Sequence, residues 1–88
     1  MNVKLISYDL DKPGQDYPRI ITELERLGAK RVLYSEWLLK TDASDEQLRN
    51  HLQKFIDGND MLLVITVSSA AWNSLMISDQ AVKQLFAA

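Results

Sequence analysis

The sequence predicts a small α+β domain whose strands and helices follow the order βαββαβ. Three observations support this prediction. Two stretches carry apolar residues at helical spacing, and each of them ends at a glycine. Apolar stretches rich in β-branched and aromatic residues lie between and around them. The length of 88 residues is that of one domain.

Composition narrows the class of protein. Hydrophobic residues make up 47% of the chain and charged residues 25%, which is ordinary for a folded domain. The absence of cysteine excludes disulfides and thiolate metal sites, so tight packing or oligomerisation must supply the stability that a short chain lacks. A net charge of −2 argues against nonspecific nucleic-acid binding. Without a secretory signal or a long apolar segment, we expect a cytoplasmic protein with no membrane partner.

The first half of the chain predicts one strand and one helix. Residues 3–10 have the composition of a strand, and a Pro13–Gly14 turn follows it. Asp16 is suited to cap the first helix, and Gly28 is suited to end it. The apolar face of this helix consists of Ile20, Ile21, Leu24 and Leu27.

Residues 31–41 exceed the usual length of a strand. We interpret them as two short strands hinged near Ser35 and Glu36, with a single bent strand as the alternative. Ser44 and Gln47 have the spacing of a capping box, which predicts the start of a second helix.

The second helix is predicted to end at Gly58, and its apolar face includes Phe55 and Ile56. Met61–Val67 is a continuous apolar run, which is typical of a buried strand. Residues 68–88 form a C-terminal extension, in which Ser78 or Asp79 is expected to cap a short helix carrying Val82, Leu85 and Phe86.

Right-handed crossovers would close these elements into an antiparallel sheet with both helices on one face. Residues 1–67 are therefore predicted to form a ferredoxin-like α+β sandwich, with residues 68–88 as an extension. The first and last strands carry apolar residues on both faces, although helices can cover only one. Either the extension or a second subunit must cover the other face. We expect a homodimer.

Asp9 is the first candidate for chemistry. It lies at the carboxyl end of the first strand, and Asp11 follows two residues later. Hard cations such as Mg²⁺ prefer carboxylate oxygens and keep several waters, so one or two aspartates suffice. The alternative is that both aspartates cap the following turn through local hydrogen bonds.

Three cations and three aromatic residues are further candidates. Arg26, Lys30 and Arg31 form a basic cluster that could hold a phosphate, or could simply complement the helix dipole.

The only histidine, His51, lies beside the apolar face of the second helix and is interpreted as a boundary residue. Tyr8, Trp37 and Trp72 are candidates for the dimer interface, with core packing as the alternative for the tryptophans.

The chain resembles the Cas-two family of small CRISPR-associated proteins in three stretches, Tyr8–Leu10, Gly28–Ala29 and Lys30–Ser35. They are similar also to stand-alone relatives such as SinR-labelled and VapD-like proteins. The resemblance covers about residues 2–67.

The resemblance implies a ferredoxin-like homodimer related to nucleic acid. It also implies that Asp9 binds Mg²⁺ or Mn²⁺ for hydrolysis of phosphodiesters, as in an endoribonuclease. Arg31 and Ser35 would then lie near the nucleic acid. The alternative is a non-catalytic dimeric module that binds nucleic acid or a protein.

Overall fold

The computed structural model describes residues 1–10 and 18–87. These residues form an α+β structure with three α-helices and one four-stranded antiparallel sheet, as the sequence predicts at this level. None of the described helices is long and apolar enough to cross a membrane. The predicted turn at Pro13–Gly14 and the predicted cap Asp16 lie outside the described residues. The elements are β1 (Asn2–Asp9), α1 (Pro18–Arg26), β2 (Lys30–Leu33), β3 (Glu36–Thr41), α2 (Asp45–Leu52), β4 (Met61–Val67) and α3 (Asp79–Phe86).

The sheet has the strand order β2-β3-β1-β4, so β1 is central and β2 and β4 are the edges. β1 pairs antiparallel with β3 on one side, where Ser7 lies opposite Glu36. On its other side β1 pairs with β4, where Ser7 lies opposite Leu63 and Asp9 lies opposite Met61. Because directly opposite residues share a face of the sheet, this register decides which side chains meet.

One face of the sheet packs against α1 and α2. The side chains of Ile6 and Leu24 are fully buried there. A tightly packed layer of this kind is the main source of stability in a domain without cross-links. The buried residues of this face are Ile6, Tyr8, Ile20, Leu24, Ala29, Trp37, Leu39, Leu48 and Leu52.

The opposite face is partly covered by the C-terminal segment. Ser78 caps α3 by accepting a hydrogen bond from the Ala81 amide at 3.1 Å. Val82 is fully buried and packs with Val3, Val32 and Leu38. The Met76 amide also donates to the Val32 carbonyl at 3.0 Å, which joins the segment before α3 to the edge strand β2. The chain's own tail therefore packs on its own sheet.

A partly buried ion pair joins β1 to the start of α2. The Lys4 side chain is 4% exposed, and its ammonium donates to the Asp45 carboxylate at 2.7 Å and to the Thr66 hydroxyl at 2.6 Å. The pKa of Asp45 lies below its ordinary value, mainly because of the hydrogen bond from the Lys4 ammonium and next because of the hydrogen bond from the Thr66 hydroxyl. The pairing satisfies a charge that would otherwise be costly to bury.

Several predicted element boundaries are confirmed. Tyr34 and Ser35 form a turn between β2 and β3, so the single bent strand is excluded. Gly28 adopts the left-handed conformation, with φ of 86°, immediately after α1. Ser44 and Gln47 form the predicted capping box at the start of α2.

The predicted extent of the second helix is wrong. The α-helix ends at Leu52, and a 3₁₀ turn over Gln53–Phe55 replaces its last part. Ile56 is already extended. A tight 3₁₀ turn commonly closes an α-helix. Here it leaves Phe55 and Ile56 packed against the helix-side core, so these apolar positions keep a core role without helical geometry.

Candidate functional site at one end of the sheet

Asp9 ends β1, as predicted, and its side chain is exposed. It lies on the face of the sheet opposite α1 and α2, directly opposite Met61 on β4. Its carboxylate makes no hydrogen bond or ion pair with residues 1–10 or 18–87. Asp11, the second predicted aspartate, lies outside the described residues. The carboxylate of Asp9 is thus available to a ligand from solvent.

A second carboxylate lies on the same face two residues back along the sheet. Ser7 shares the face of Asp9, and its hydroxyl donates to the Glu36 carboxylate across the strands at 3.0 Å. The described part of the chain contains no group of three or more His, Cys, Asp or Glu side chains placed to hold a metal ion. One subunit therefore offers Asp9 with Glu36 nearby, which suits a cation that keeps most of its waters.

The β2–β3 turn lies at the same end of the sheet as Asp9. The Tyr8 amide donates to the Ser35 carbonyl at 3.1 Å, which fastens the turn to the end of β1. The Arg31 guanidinium donates to the Tyr34 carbonyl at 2.9 and 2.6 Å. Tertiary structure thus brings Arg31 and Ser35, two of the predicted nucleic-acid residues, to the same end as Asp9.

Tyr34 is a functional candidate that the sequence reasoning missed. Its side chain is 81% exposed, although it belongs to a stretch that reads as strand. The Arg31 guanidinium lies 5.5 Å from the centroid of the Tyr34 ring, and 5.5 Å from that of Trp37. An exposed ring beside a cation can stack a nucleic-acid base. A tyrosine next to the predicted hinge at Ser35 was the only available signal.

The other two predicted cations are placed differently. Lys30 is exposed on the edge strand β2, opposite Leu38. Arg26 ends α1 and lies near the Leu39–Thr41 end of β3, away from the turn that adjoins Asp9. The basic cluster read from the sequence is therefore divided, and Arg26 does not belong to the site around Asp9.

The prediction that Tyr8 and Trp37 lie at a dimer interface is wrong. Both are buried in the helix-side core, at 5% and 3% exposure, and the Trp37 indole donates to the Tyr8 hydroxyl at 3.1 Å. The helices cover the face to which these rings point, so no partner reaches them. Trp72 is half-buried against the chain's own second core, and its indole donates to Asp79 at 2.9 Å.

The outer face of β4 exposes an apolar stripe, defined here as Met61, Leu63 and Ile65. Their side chains are 67%, 54% and 39% exposed. The strand predicted to be buried therefore has one face uncovered in the single chain. β4 is an edge strand, and α3 packs toward β3 and leaves the stripe uncovered. Adjacent exposed apolar side chains of this kind often mark an interaction surface.

A polar cluster joins α1 to α2 in the helix layer. Glu23 is 6% exposed, and its carboxylate accepts hydrogen bonds from Arg26 at 2.7 and 2.5 Å. The same carboxylate lies 2.5 Å from His51 Nε2. His51, predicted as a boundary residue, is half-buried and holds this inter-helix contact. The bond from Arg26, followed by that from His51, lowers the pKa of Glu23 to about 2.

This lowered pKa predicts acid sensitivity. A carboxyl with a depressed pKa in the folded state contributes stability above its ordinary pKa of 4.5, and that contribution is lost as the pH falls toward 2. We expect Glu23→Gln to lower the urea midpoint of unfolding at neutral pH. Between pH 4.5 and 2, the midpoint of this variant should fall less than that of the wild type. Glu25→Gln is the matched control, since Glu25 is exposed on the same helix. Equal pH profiles for the wild type and Glu23→Gln would contradict the prediction.

Taken together, these features define a small α+β protein with an exposed carboxylate, a cation–aromatic turn and an uncovered apolar stripe on one sheet. Comparison with known protein families finds no family that matches the chain, and comparison with solved structures finds no structure that matches it.

Proposed function

We propose that this chain is a homodimeric, ferredoxin-like protein that acts on or binds nucleic acid, in the manner of the Cas-two family. The observation that carries the proposal is that Asp9, Ser35 and the Arg31–Tyr34 pair lie at the same end of the sheet. Asp9 is on the face opposite α1 and α2, and Arg31 lies over Trp37 on the helix side. A guanidinium and an exposed ring suit a phosphate and a base, and a carboxylate at the same end suits the metal that phosphodiester hydrolysis uses.

The strand order supports the ferredoxin-like part of this proposal. β1 and β2 are joined through α1 and are separated in the sheet by β3. β3 and β4 are joined through α2 and are separated by β1. Both helices pack on one face. Two interlocked βαβ crossovers of this kind form the split arrangement of a ferredoxin-like sandwich.

The apolar stripe supports the homodimer. The side chains of the stripe, Met61, Leu63 and Ile65, would be removed from water if two copies of the chain packed together through this half of the sheet. In a twofold interface each of these residues would be buried in both subunits. Asp9 lies directly opposite Met61 in the register, so the Asp9 carboxylate would lie at the border of that interface. Two copies of Asp9 would then be available to one ion.

Mg²⁺ or Mn²⁺ would be held by Asp9 in this scheme. When bound, such an ion activates a water and offsets the charge that develops on the phosphate. The residues of one chain fit this role only in part. The Asp9 carboxylate is available, but the Glu36 carboxylate already accepts a bond from Ser7. The second ligand of the protein is therefore assigned to the partner's copy.

The test is cleavage of labelled single-stranded RNA and duplex DNA with Mg²⁺ or Mn²⁺. We expect cutting by the wild type and a loss of at least ~100-fold in Asp9→Ala, because removal of a metal ligand removes the activated water. Asp42→Ala is the matched control. Asp42 is 80% exposed, follows the end of β3 far from Asp9, and contacts only the N-terminal amine at 3.5 Å among the described residues. Light scattering checks that all three proteins have the same mass.

A second candidate is a dimeric module that binds nucleic acid without cutting it. The specific observation in its favour is the Arg31–Tyr34 pair, which needs no metal to hold a base and a phosphate. Absence of cutting by the wild type, or equal cutting by the wild type and Asp9→Ala, would remove the catalytic role of Asp9. Retained RNA binding that is lost in Tyr34→Ala would then assign this second function.

A further inference from the structure

A groove of about 410 Å³ opens between α1, the end of β3 and α2. It lies away from Asp9, and nothing in the proposed function uses it. Its floor is apolar and consists of Leu27, Leu39 and Leu48, of which the last two are buried. Arg26 and His51 stand on its wall. A concave apolar floor with few polar groups at its margin is the usual form of a small-ligand site.

Among the described residues that line this groove, Arg26, His51 and Lys40 are basic and none is acidic. The Glu23 carboxylate lies directly behind two of them and bonds to both Arg26 and His51. The ammonium of Lys40 is committed to the Ala87 carbonyl at 2.8 Å. His51 Nε2 is likewise committed to the Glu23 carboxylate. Arg26 therefore supplies the donor that a ligand would meet, and a negatively charged group is its complementary partner.

Glu23 holds Arg26 in place without exhausting its donors. The guanidinium uses Nε and one Nη for the two bonds to Glu23. A guanidinium carries five N–H donors, so its other terminal nitrogen remains available to an acceptor. The side chain is 63% exposed, which leaves this nitrogen accessible from the groove. A cation fixed by a buried carboxylate loses less freedom when it binds a ligand than an unrestrained one does.

His51 supports the same arrangement from the opposite wall. Its Nε2 lies 2.5 Å from the Glu23 carboxylate, so this nitrogen carries the proton and the ring orientation is set. The ring also contacts Phe55, with centroids 5.4 Å apart. The buried carboxylate thus orients both polar groups of the groove at once.

We infer that this groove binds a small amphipathic carboxylate, with the carboxylate on Arg26 and an apolar chain on Leu27, Leu39 and Leu48. Both halves of the ligand follow from the lining, since an apolar floor alone would accept a neutral molecule and a surface arginine alone would accept any anion. The inference concerns a surface separate from Asp9, so it stands or falls independently of nucleic-acid cleavage.

The experiment is titration of the full chain with sodium octanoate, followed by heteronuclear NMR and calorimetry. We expect saturable binding with shifts of the Leu27, Leu39 and Leu48 methyl signals. Acetate, which lacks the chain, and 1-octanol, which lacks the charge, are each expected to bind at least ~10-fold more weakly. Arg26→Gln is expected to weaken octanoate binding by at least ~10-fold. Arg49→Gln is the matched control, because Arg49 lies on α2 outside the groove and bonds to Asn50.

A second variant guards against a folding defect in Arg26→Gln, which leaves Glu23 with one partner fewer. Leu27→Ser changes a half-buried part of the groove floor and keeps the polar cluster intact. It is expected to weaken octanoate binding while leaving acetate unchanged. Absence of saturable octanoate binding at millimolar concentration would overturn the inference. Equal binding of octanoate and 1-octanol, or an equal loss in Arg49→Gln, would also overturn it.

Discussion

Leu63→Lys is expected to convert a dimeric protein into a monomer. Leu63 lies at the centre of the apolar stripe and is 54% exposed in the single chain, so the substitution leaves the core of each subunit intact. In a twofold interface the change occurs twice, and each lysine would be placed against an apolar surface. We expect the dissociation constant to rise by at least ~100-fold, or ~3 kcal/mol. Light scattering over a range of concentrations measures it.

Leu33→Lys is the matched control for this prediction. Leu33 is also an exposed leucine on an edge strand, at 45% exposure, but it lies on β2 at the opposite edge of the sheet. It should leave the dimer unchanged. A monomeric wild type would contradict the dimer itself. Equal dissociation by both lysine variants would contradict the assignment of the interface to the stripe.

Val82→Asp is expected to release α3 from the sheet. Val82 is the one fully buried side chain of this helix, and it contacts the second core around Val3, Val32 and Leu38. The substitution removes about 2 kcal/mol of apolar burial and would place an unpaired carboxylate in an apolar site. Detachment of the helix costs less than burial of that charge.

Hydrogen exchange measures this release residue by residue. The Val82 amide donates to the Ser78 carbonyl at 3.1 Å, and the amides of α3 should exchange at least ~100-fold faster in Val82→Asp. The amides that pair β1 with β3 should keep most of their protection. Gln80→Asp adds the same charge at an exposed position of α3 and should have little effect. Unchanged exchange in Val82→Asp would show that Val82 does not anchor the helix.

Release of α3 also bears on the dimer. The helix covers the β3 side of the face whose β4 side carries the stripe. A detached helix would leave Val3 and Leu38 in water on the same sheet face as Leu63. Leu63→Lys and Val82→Asp therefore test the two halves of one sheet face. Their effects on dimerisation are expected to depend on each other.

The elements of this protein follow closely from local sequence. Ser44 and Gln47 mark the start of α2, and Gly28 marks the end of α1, because capping and left-handed turns depend on residues a few positions apart. The end of α2 was misjudged. Phe55 continues the helical spacing, and a 3₁₀ turn satisfies the same apolar contacts as a longer helix.

The candidate site was predicted only in part. Asp9 was found because it ends a recognisable strand. Tyr34 was missed, and Arg26 was grouped with Arg31, because neighbours in sequence need not be neighbours in space. The bond between Tyr8 and Ser35 decides that the turn adjoins Asp9, and this bond joins residues 27 positions apart.

By itself the sequence determined the α+β class, the order of the elements and the position of Asp9 at the end of β1, since periodicity and capping act over a few residues. Only the tertiary structure decided which apolar faces are covered. Trp37 is buried by helices, whereas Leu63 remains exposed because β4 is an edge strand and α3 packs on the other half of the face. The physical reason is that burial depends on strand order and on distant segments, which composition does not encode locally.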